Sequence, residues 1–176
     1  MMVRQHCAVL IQLTFILMLR AYILDNQAVA RNLLATVLTN GGHEVVGDGN
    51  NSATNIARMV KLQPQIVCVD IGEPDQAGLA LLESLRTQLP KALIFLVSAK
   101  IDAETIQAAQ SRGVVGFIVK PFNAVAVLMS IRNTILRIAT QSRAKQKAVE
   151  PNEADSLASP TISEDAVPDA NPSPSE

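Results

Sequence analysis

Four polar residues in this chain each close an apolar run. Asp25 ends "AYILD", Asp70 ends "IVCVD", Ser98 ends "ALIFLVS", and Lys120 ends "GFIVK" just before Pro121. Two carboxylates, a hydroxyl and an ammonium make a set with a definite chemistry. A carboxylate can attack phosphorus and form an aspartyl phosphate. Charge on the incoming phosphoryl group must be neutralised for that attack. A divalent cation held by oxygen ligands can do this, and Asp25 and Asp70 can supply carboxylates. Lys120 would set a positive charge on the phosphoryl oxygens, and Ser98 would donate a hydrogen bond to them. Taken singly, each residue has a plainer reading: an aspartate or serine after a strand often caps a helix, and a lysine there is often a solvated charge.

The elements that would bring them together are legible in the pattern. Short apolar runs alternate with helix-like stretches, which predicts parallel strands in an α/β sheet. Strands are expected at 20–24, 43–48, 65–69, 92–97 and 116–119. Helices are expected at about 27–40, from Ser52 to before Pro64, at 79–88, from Asp102 to near Gly113, and after Asn123. In the first helix Val29, Leu33, Leu34, Val37 and Leu38 form an apolar stripe. Ile56, Met59 and Val60 should face inward in the second, and Val127, Leu128, Ile131, Ile135 and Ile138 in the last. Ser52, Asp102 and Asn123 are N-cap candidates. Residues 70–78, "DIGEPDQAG", read as a loop. Five strand–helix repeats with right-handed crossovers predict a doubly wound, five-stranded parallel sheet in order 2-1-3-4-5, a flavodoxin-like α/β fold. In that order strands 1, 3, 4 and 5 are neighbours and carry the four polar ends, where such sheets bind ligands. Strand 2, at the edge, ends with no comparable group.

Composition fits one ordinary domain with tails. The chain has 176 residues, 48% hydrophobic but only 3% aromatic, so aliphatic side chains must fill the core. Fifteen basic and sixteen acidic residues nearly cancel, which excludes a nucleic-acid binder driven by bulk charge. Two cysteines, Cys7 and Cys68, make neither a disulfide framework nor a metal-type spacing, and Cys68 should be a buried thiol. A reducing cytoplasm is the expected location.

Residues 1–19 read as an apolar N-terminal extension. Its run at 8–19 is shorter than the roughly 20 residues of a membrane span. No small-residue cleavage site follows it, and Met18 is an alternative start. A membrane role is not expected. Residues 20–140 form the domain. Residues 141–176 read as a helix extension through the basic "RAKQK" at 143–147, then an acidic, Pro/Ser-rich tail from Glu150. That tail cannot bury enough surface to offset its ordering entropy, so disorder is expected.

Over residues 20–140 the chain resembles the receiver domain of two-component response regulators, the CheY-like family. The resemblance rests on Asp25-Asn26 in place of an acidic pair, on Asp70 with Pro74 and Gly78 in the loop after it, on Ser98-Ala99, and on Lys120-Pro121-Phe122. It implies that Asp70 is the phosphoacceptor and that a histidine kinase or phosphotransfer protein is the donor. It implies Mg2+ held by Asp25, Asn26, Asp70 and the backbone carbonyl of Gly72. It also implies a switch through Ser98 and Phe117, with output from the face formed by helix 4, strand 5 and helix 5, and a cis peptide before Pro121. Phe117 has no hydroxyl, so its rearrangement would rest on packing. Asn26 departs from the pattern. Its amide oxygen can coordinate but brings no charge, so weaker metal binding is expected.

No output domain is expected in the tail, which makes the chain a stand-alone receiver acting through an unidentified partner protein. A phosphorylation-independent scaffold is the alternative. A hydrolase using an aspartyl phosphate would need a second acid two residues after the nucleophile. That position is Gly72. No dinucleotide glycine motif follows strand 1.

Overall fold

The computed structural model describes residues 18–147. The apolar run before Met18, Cys7 and the acidic tail lie outside the described residues. Five strands alternate with five helices: β1 (Arg20–Leu24), α1 (Ala28–Asn40), β2 (Glu44–Gly49), α2 (Ala53–Leu62), β3 (Ile66–Asp70), α3 (Gln76–Gln88), β4 (Leu93–Ser98), α4 (Ala103–Ser111), β5 (Val114–Val119) and α5 (Ala124–Lys147). All strands are parallel, in the order β2-β1-β3-β4-β5 expected from the sequence.

The central strands read as unbroken apolar runs because both of their faces are covered. Successive residues point to opposite sides. Tyr22, Leu24, Val67, Val69, Ile94 and Leu96 pack with Met59, Leu82, Leu85 and Ala109 of α2, α3 and α4. Ala21, Ile23, Cys68, Phe95, Val97 and Ile118 pack with Leu34, Leu38, Val127 and Ile131 of α1 and α5. Phe95, one of the few aromatics, fits because β5 carries Gly116 beside it, where any Cβ would run into the ring. Cys68 is a free, fully buried thiol, and burial pushes its pKa up to about 12. Among the described residues no helix is long and apolar enough to cross a membrane.

The structure corrects the sequence reading in three places, one a buried face and two element starts. The stripe on α1 is Ala30, Leu34, Val37 and Leu38. Val29 and Leu33 are 81% and 49% exposed, because the buried arc centres on Leu34 and leaves them at its margin. Helix α3 starts at Gln76, not 79, because Asp75 accepts from the Gly78 N–H (2.8 Å) and nucleates the turn early. Strand β5 starts at Val114, not 116, since Val114 pairs with Ile94. Ser52, Asp102 and Asn123 do accept from Asn55, Thr105 and Ala126 N–H groups, at 3.4, 2.7 and 3.1 Å. Helix α5 runs to Lys147.

Candidate functional site

The carboxyl ends of β3, β4 and β5 meet, with Gln27 just after β1, at a cavity of about 410 Å³ whose lining includes Asp70, Gly72, Ser98, Lys100, Asp102 and Lys120; Asp25 and Asn26 lie outside that lining. Strand pairing explains the convergence. Asp70 lies beside Val97 in the β3–β4 register, and Ser98 beside Val119 in β4–β5. The Lys120 N–H donates to the Ser98 carbonyl at 2.9 Å and ties the last two strand ends together. The Lys120–Pro121 peptide is cis.

At the centre, the Lys120 ammonium bridges two carboxylates. Its Nζ lies 2.7 Å from Asp25 Oδ2 and hydrogen-bonds Asp70 Oδ2. Asp25 and Lys120 expose only 3% and 15% of their side chains, so this charge cluster is largely out of water. Burial alone would lower the Lys120 pKa. The hydrogen bonds and charges of the two aspartates outweigh it, and the net shift is upward.

The remaining oxygen of each carboxylate is held by its own chain. Asp25 Oδ1 accepts from the Gln27 N–H (2.8 Å), and Asp70 Oδ1 from the Gly72 N–H (2.7 Å). Neither residue caps a helix; Asp75 and Asp102 do that nearby. Gly72 takes a positive φ of 73°, while a Cβ there would meet nothing within 4 Å. Glycine is thus required for the backbone turn, not for space.

Ser98 lines the same cavity, but its hydroxyl is engaged locally. It donates to the Lys100 carbonyl (2.7 Å) and accepts from the Lys100 N–H (3.2 Å). Asn26 Oδ1 accepts from the Asn51 N–H at 3.2 Å. Phe117 stands apart from the cavity, half-buried against the α2–α4 side of the sheet, with Ser130 Oγ donating to its carbonyl at 3.0 Å.

Two residues at this edge were missed in the sequence. Asn51, in the β2–α2 loop, donates from Nδ2 to the Asp70 carbonyl at 2.7 Å, while its Oδ1 is buried without a protein partner. Strand β2 itself ends at Gly49, and it is the loop after it that reaches Asp70. Arg31 of α1 donates to the Asp25 carbonyl (2.7 Å) and pairs with Asp48 of β2 (2.8 Å). The available signals were weak. Arg31 is the single charge in α1, and Asn51 lies in the polar "GNNS" turn.

The whole of β1–β5 corresponds to one known domain type: residues 21–132 match the family model described as response regulator receiver domain. The chain belongs to the response regulator receiver family. It is 31% identical over 116 residues to the chemotaxis protein CheY of Bacillus subtilis, covering 66% of this chain and 97% of that one. It is 29% identical over 121 residues to a protein-glutamate methylesterase/protein-glutamine glutaminase of Archaeoglobus fulgidus, covering 68% of this chain but 34% of the relative. The chain thus spans about a third of that protein's length. Among solved structures, a Thermotoga maritima response regulator superposes with a TM-score of 0.61 at 22% identity, over 68% of this chain and 98% of that one. The signal receiver domain of a Desulfovibrio desulfuricans diguanylate cyclase gives 0.60 at 23%, over 70% and 98%.

Receiver domains are signalling modules, and they generally bind Mg2+ at the phosphorylation site. The donors at this edge suit a hard cation. Two carboxylates converge on one point, the spot now taken by the Lys120 ammonium, and all candidate ligands are oxygens. The set is poor in charge, however. Among the described residues no group of three or more His, Cys, Asp or Glu side chains is placed to hold a metal.

Proposed function

We propose that this receiver accepts a phosphoryl group on Asp70 and passes the signal on by protein–protein contact. The supporting observation is the Lys120 bridge. It gathers Asp25 and Asp70 at one point on the carboxyl edge, where an incoming phosphoryl group would meet the ammonium. The donor would be a phosphohistidine on a histidine kinase or phosphotransfer protein. A carboxylate oxygen of Asp70 bonds to phosphorus, the P–N bond breaks, and the departing imidazole nitrogen takes up a proton. Asp25, Asn26, Asp70 and the Gly72 carbonyl would hold Mg2+, which neutralises phosphoryl charge when bound. Lys120 keeps its positive charge across the physiological range, since its pKa is raised.

Ser98 supplies the switch. To reach a phosphoryl oxygen its hydroxyl must leave the Lys100 carbonyl, so adduct formation competes with the 98–100 turn. Phe117, half-buried on β5, would answer by repacking. In this reading residues 20–140 are the receiver, 1–19 an extension and 141–176 the helix extension and acidic tail. The domain works as a cytoplasmic signalling module with an unidentified output partner, and its own chemistry is self-catalysed phosphoryl turnover at Asp70.

A second reading, a binding module indifferent to phosphorylation, is favoured by the amide at Asn26, which is already engaged by Asn51. One experiment separates the two. The chain is incubated with a small phosphoramidate and Mg2+ and examined by intact-mass spectrometry. The first reading expects one base-labile phosphoryl adduct mapping to Asp70. An unmodified chain under conditions that phosphorylate a control receiver would leave only the second.

A further inference from the structure

Asn51 does two unlike things with one side chain. Its Nδ2 donates to the Asp70 main-chain carbonyl at 2.7 Å. A carbonyl can only accept, so this bond fixes which end of the amide is nitrogen. The oxygen is thereby turned the other way, where it is buried and meets no protein donor. The backbone N–H of the same residue is held by Asn26 Oδ1 at 3.2 Å. Asn51 is therefore pinned between Asn26 and Asp70, two residues assigned above to the cation. A buried acceptor without a donor carries a desolvation cost with nothing to offset it. It calls for a partner that is not part of the protein.

The chemistry of the cation names that partner. Mg2+ gives up its waters reluctantly and usually keeps several of them when bound by one or two carboxylates. Those waters are strong donors and need acceptors around them. A family site with two acids at the end of β1 would present a second carboxylate there, and this chain presents the neutral amide of Asn26.

We infer that Asn51 is an outer ligand of the cation site. Its Oδ1 accepts a hydrogen bond from a water of the bound Mg2+, and the β2–α2 loop thus makes up part of what the amide at position 26 withholds. Asn51 is a positioning residue in this role, since it acts on the cation through water and on Asp70 through the main chain. The inference rests on the reading of this cavity as a magnesium-dependent phosphoacceptor.

The test is calorimetric titration of the full chain with MgCl2, with four variants. Asp70→Asn comes first and should abolish the binding heat. Unchanged binding there would overturn the cavity reading itself, and this inference with it. Asn51→Leu keeps the size and removes both polar ends. Binding about tenfold weaker is expected, the scale typical of an outer-shell partner. Asn51→Asp keeps the acceptor and loses the donor to Asp70, and binding at least as tight as wild type is expected. Asn50→Asp is the charge control. It adds the same charge one residue away, where Oδ1 already accepts from Ser52 N–H (3.3 Å) and Asn55 Nδ2 (2.5 Å). It should tighten binding less than Asn51→Asp.

A role confined to clamping Asp70 predicts that Asn51→Asp weakens binding as much as Asn51→Leu, because both lose Nδ2. That result overturns the inference. So does equal tightening by the two aspartate variants, which would mean bulk charge alone, or wild-type affinity in Asn51→Leu. Urea midpoints accompany each titration. Should Asn51→Leu fail to fold, the comparison of the two aspartate variants decides.

Discussion

The two ends of the sheet use similar residues for opposite purposes. At the amino end, charged and amide side chains are spent on backbone carbonyls and amides. Arg86 donates to the carbonyls of Pro90 (2.6 Å), Ala92 (3.3 Å) and Gly113 (3.1 Å), and Gln65 Oε1 accepts from the Arg20 N–H (3.0 Å). At the carboxyl end Lys120 faces two carboxylates instead. A cation satisfied by fixed carbonyls closes loops and stabilises the fold. A cation shared between two carboxylates is balanced only until something better arrives, such as a divalent ion or a phosphoryl group. One end is built to stay as it is, and the other to exchange partners.

The largest effect that would test this contrast is at Asp70. Asp70→Asn should lose the phosphoryl adduct completely in the mass-spectrometric assay while keeping a cooperative urea transition, because Lys120 retains Asp25. Retention of the adduct would move the phosphoacceptor elsewhere. Next is Asn26→Asp, which restores a charge to the cation site. Titration should show Mg2+ binding tightened about tenfold, the scale of one added carboxylate near a cation at partly screened range. Equal affinity would mean that the amide is not at the site.

At the other end, Arg86→Met should leave phosphorylation intact and cost about 2 kcal/mol in urea denaturation, since three carbonyls lose a charged donor. A loss of phosphorylation without a loss of stability would erase the distinction between the ends. Gly72→Ala should cost about 1 kcal/mol, because alanine resists the positive φ although space is open.

The smallest effects concern pH. The pKa of His43, at the amino end, is lowered from 6.5 by burial. A depressed folded-state pKa gives a contribution present above 6.5 and lost as pH falls through the folded value. Thermal midpoints of wild type should therefore fall more than those of His43→Gln between about pH 7 and 5. Lys120 works in the other direction. Its raised pKa gives a contribution present below 10.5 and lost as pH rises through the folded value, so the stability gap between wild type and Lys120→Met should narrow only in strong alkali.

The sequence by itself determined the strand order, the two-faced core and the placing of Asp25, Asp70, Ser98 and Lys120 on one edge. These follow from periodicity and from chain reversal at Gly41-Gly42, Pro64 and Pro90, which are local or topological properties. It did not show which members of the apolar stripe on α1 are buried. The series Val29, Leu33, Val37 is evenly spaced whether its members face the core or the solvent, and spacing alone cannot locate the centre of an arc. Leu34 and Leu38, packed in one cluster with Ile23 and Cys68, locate it. Nor did the sequence mark Asp75 as a helix cap, since it sits inside the stretch 70–78 that reads as a loop.

Tertiary structure alone decided three things: that Asn51 reaches Asp70, that Arg31 joins Asp25 to Asp48, and that the Ser98 hydroxyl rests on Lys100. Each is a directional contact made by a side chain whose partner lies 2 to 19 residues away along the chain. Hydrophobic patterning carries no information about such contacts, because hydrogen-bond geometry is settled only when the strand ends are brought together.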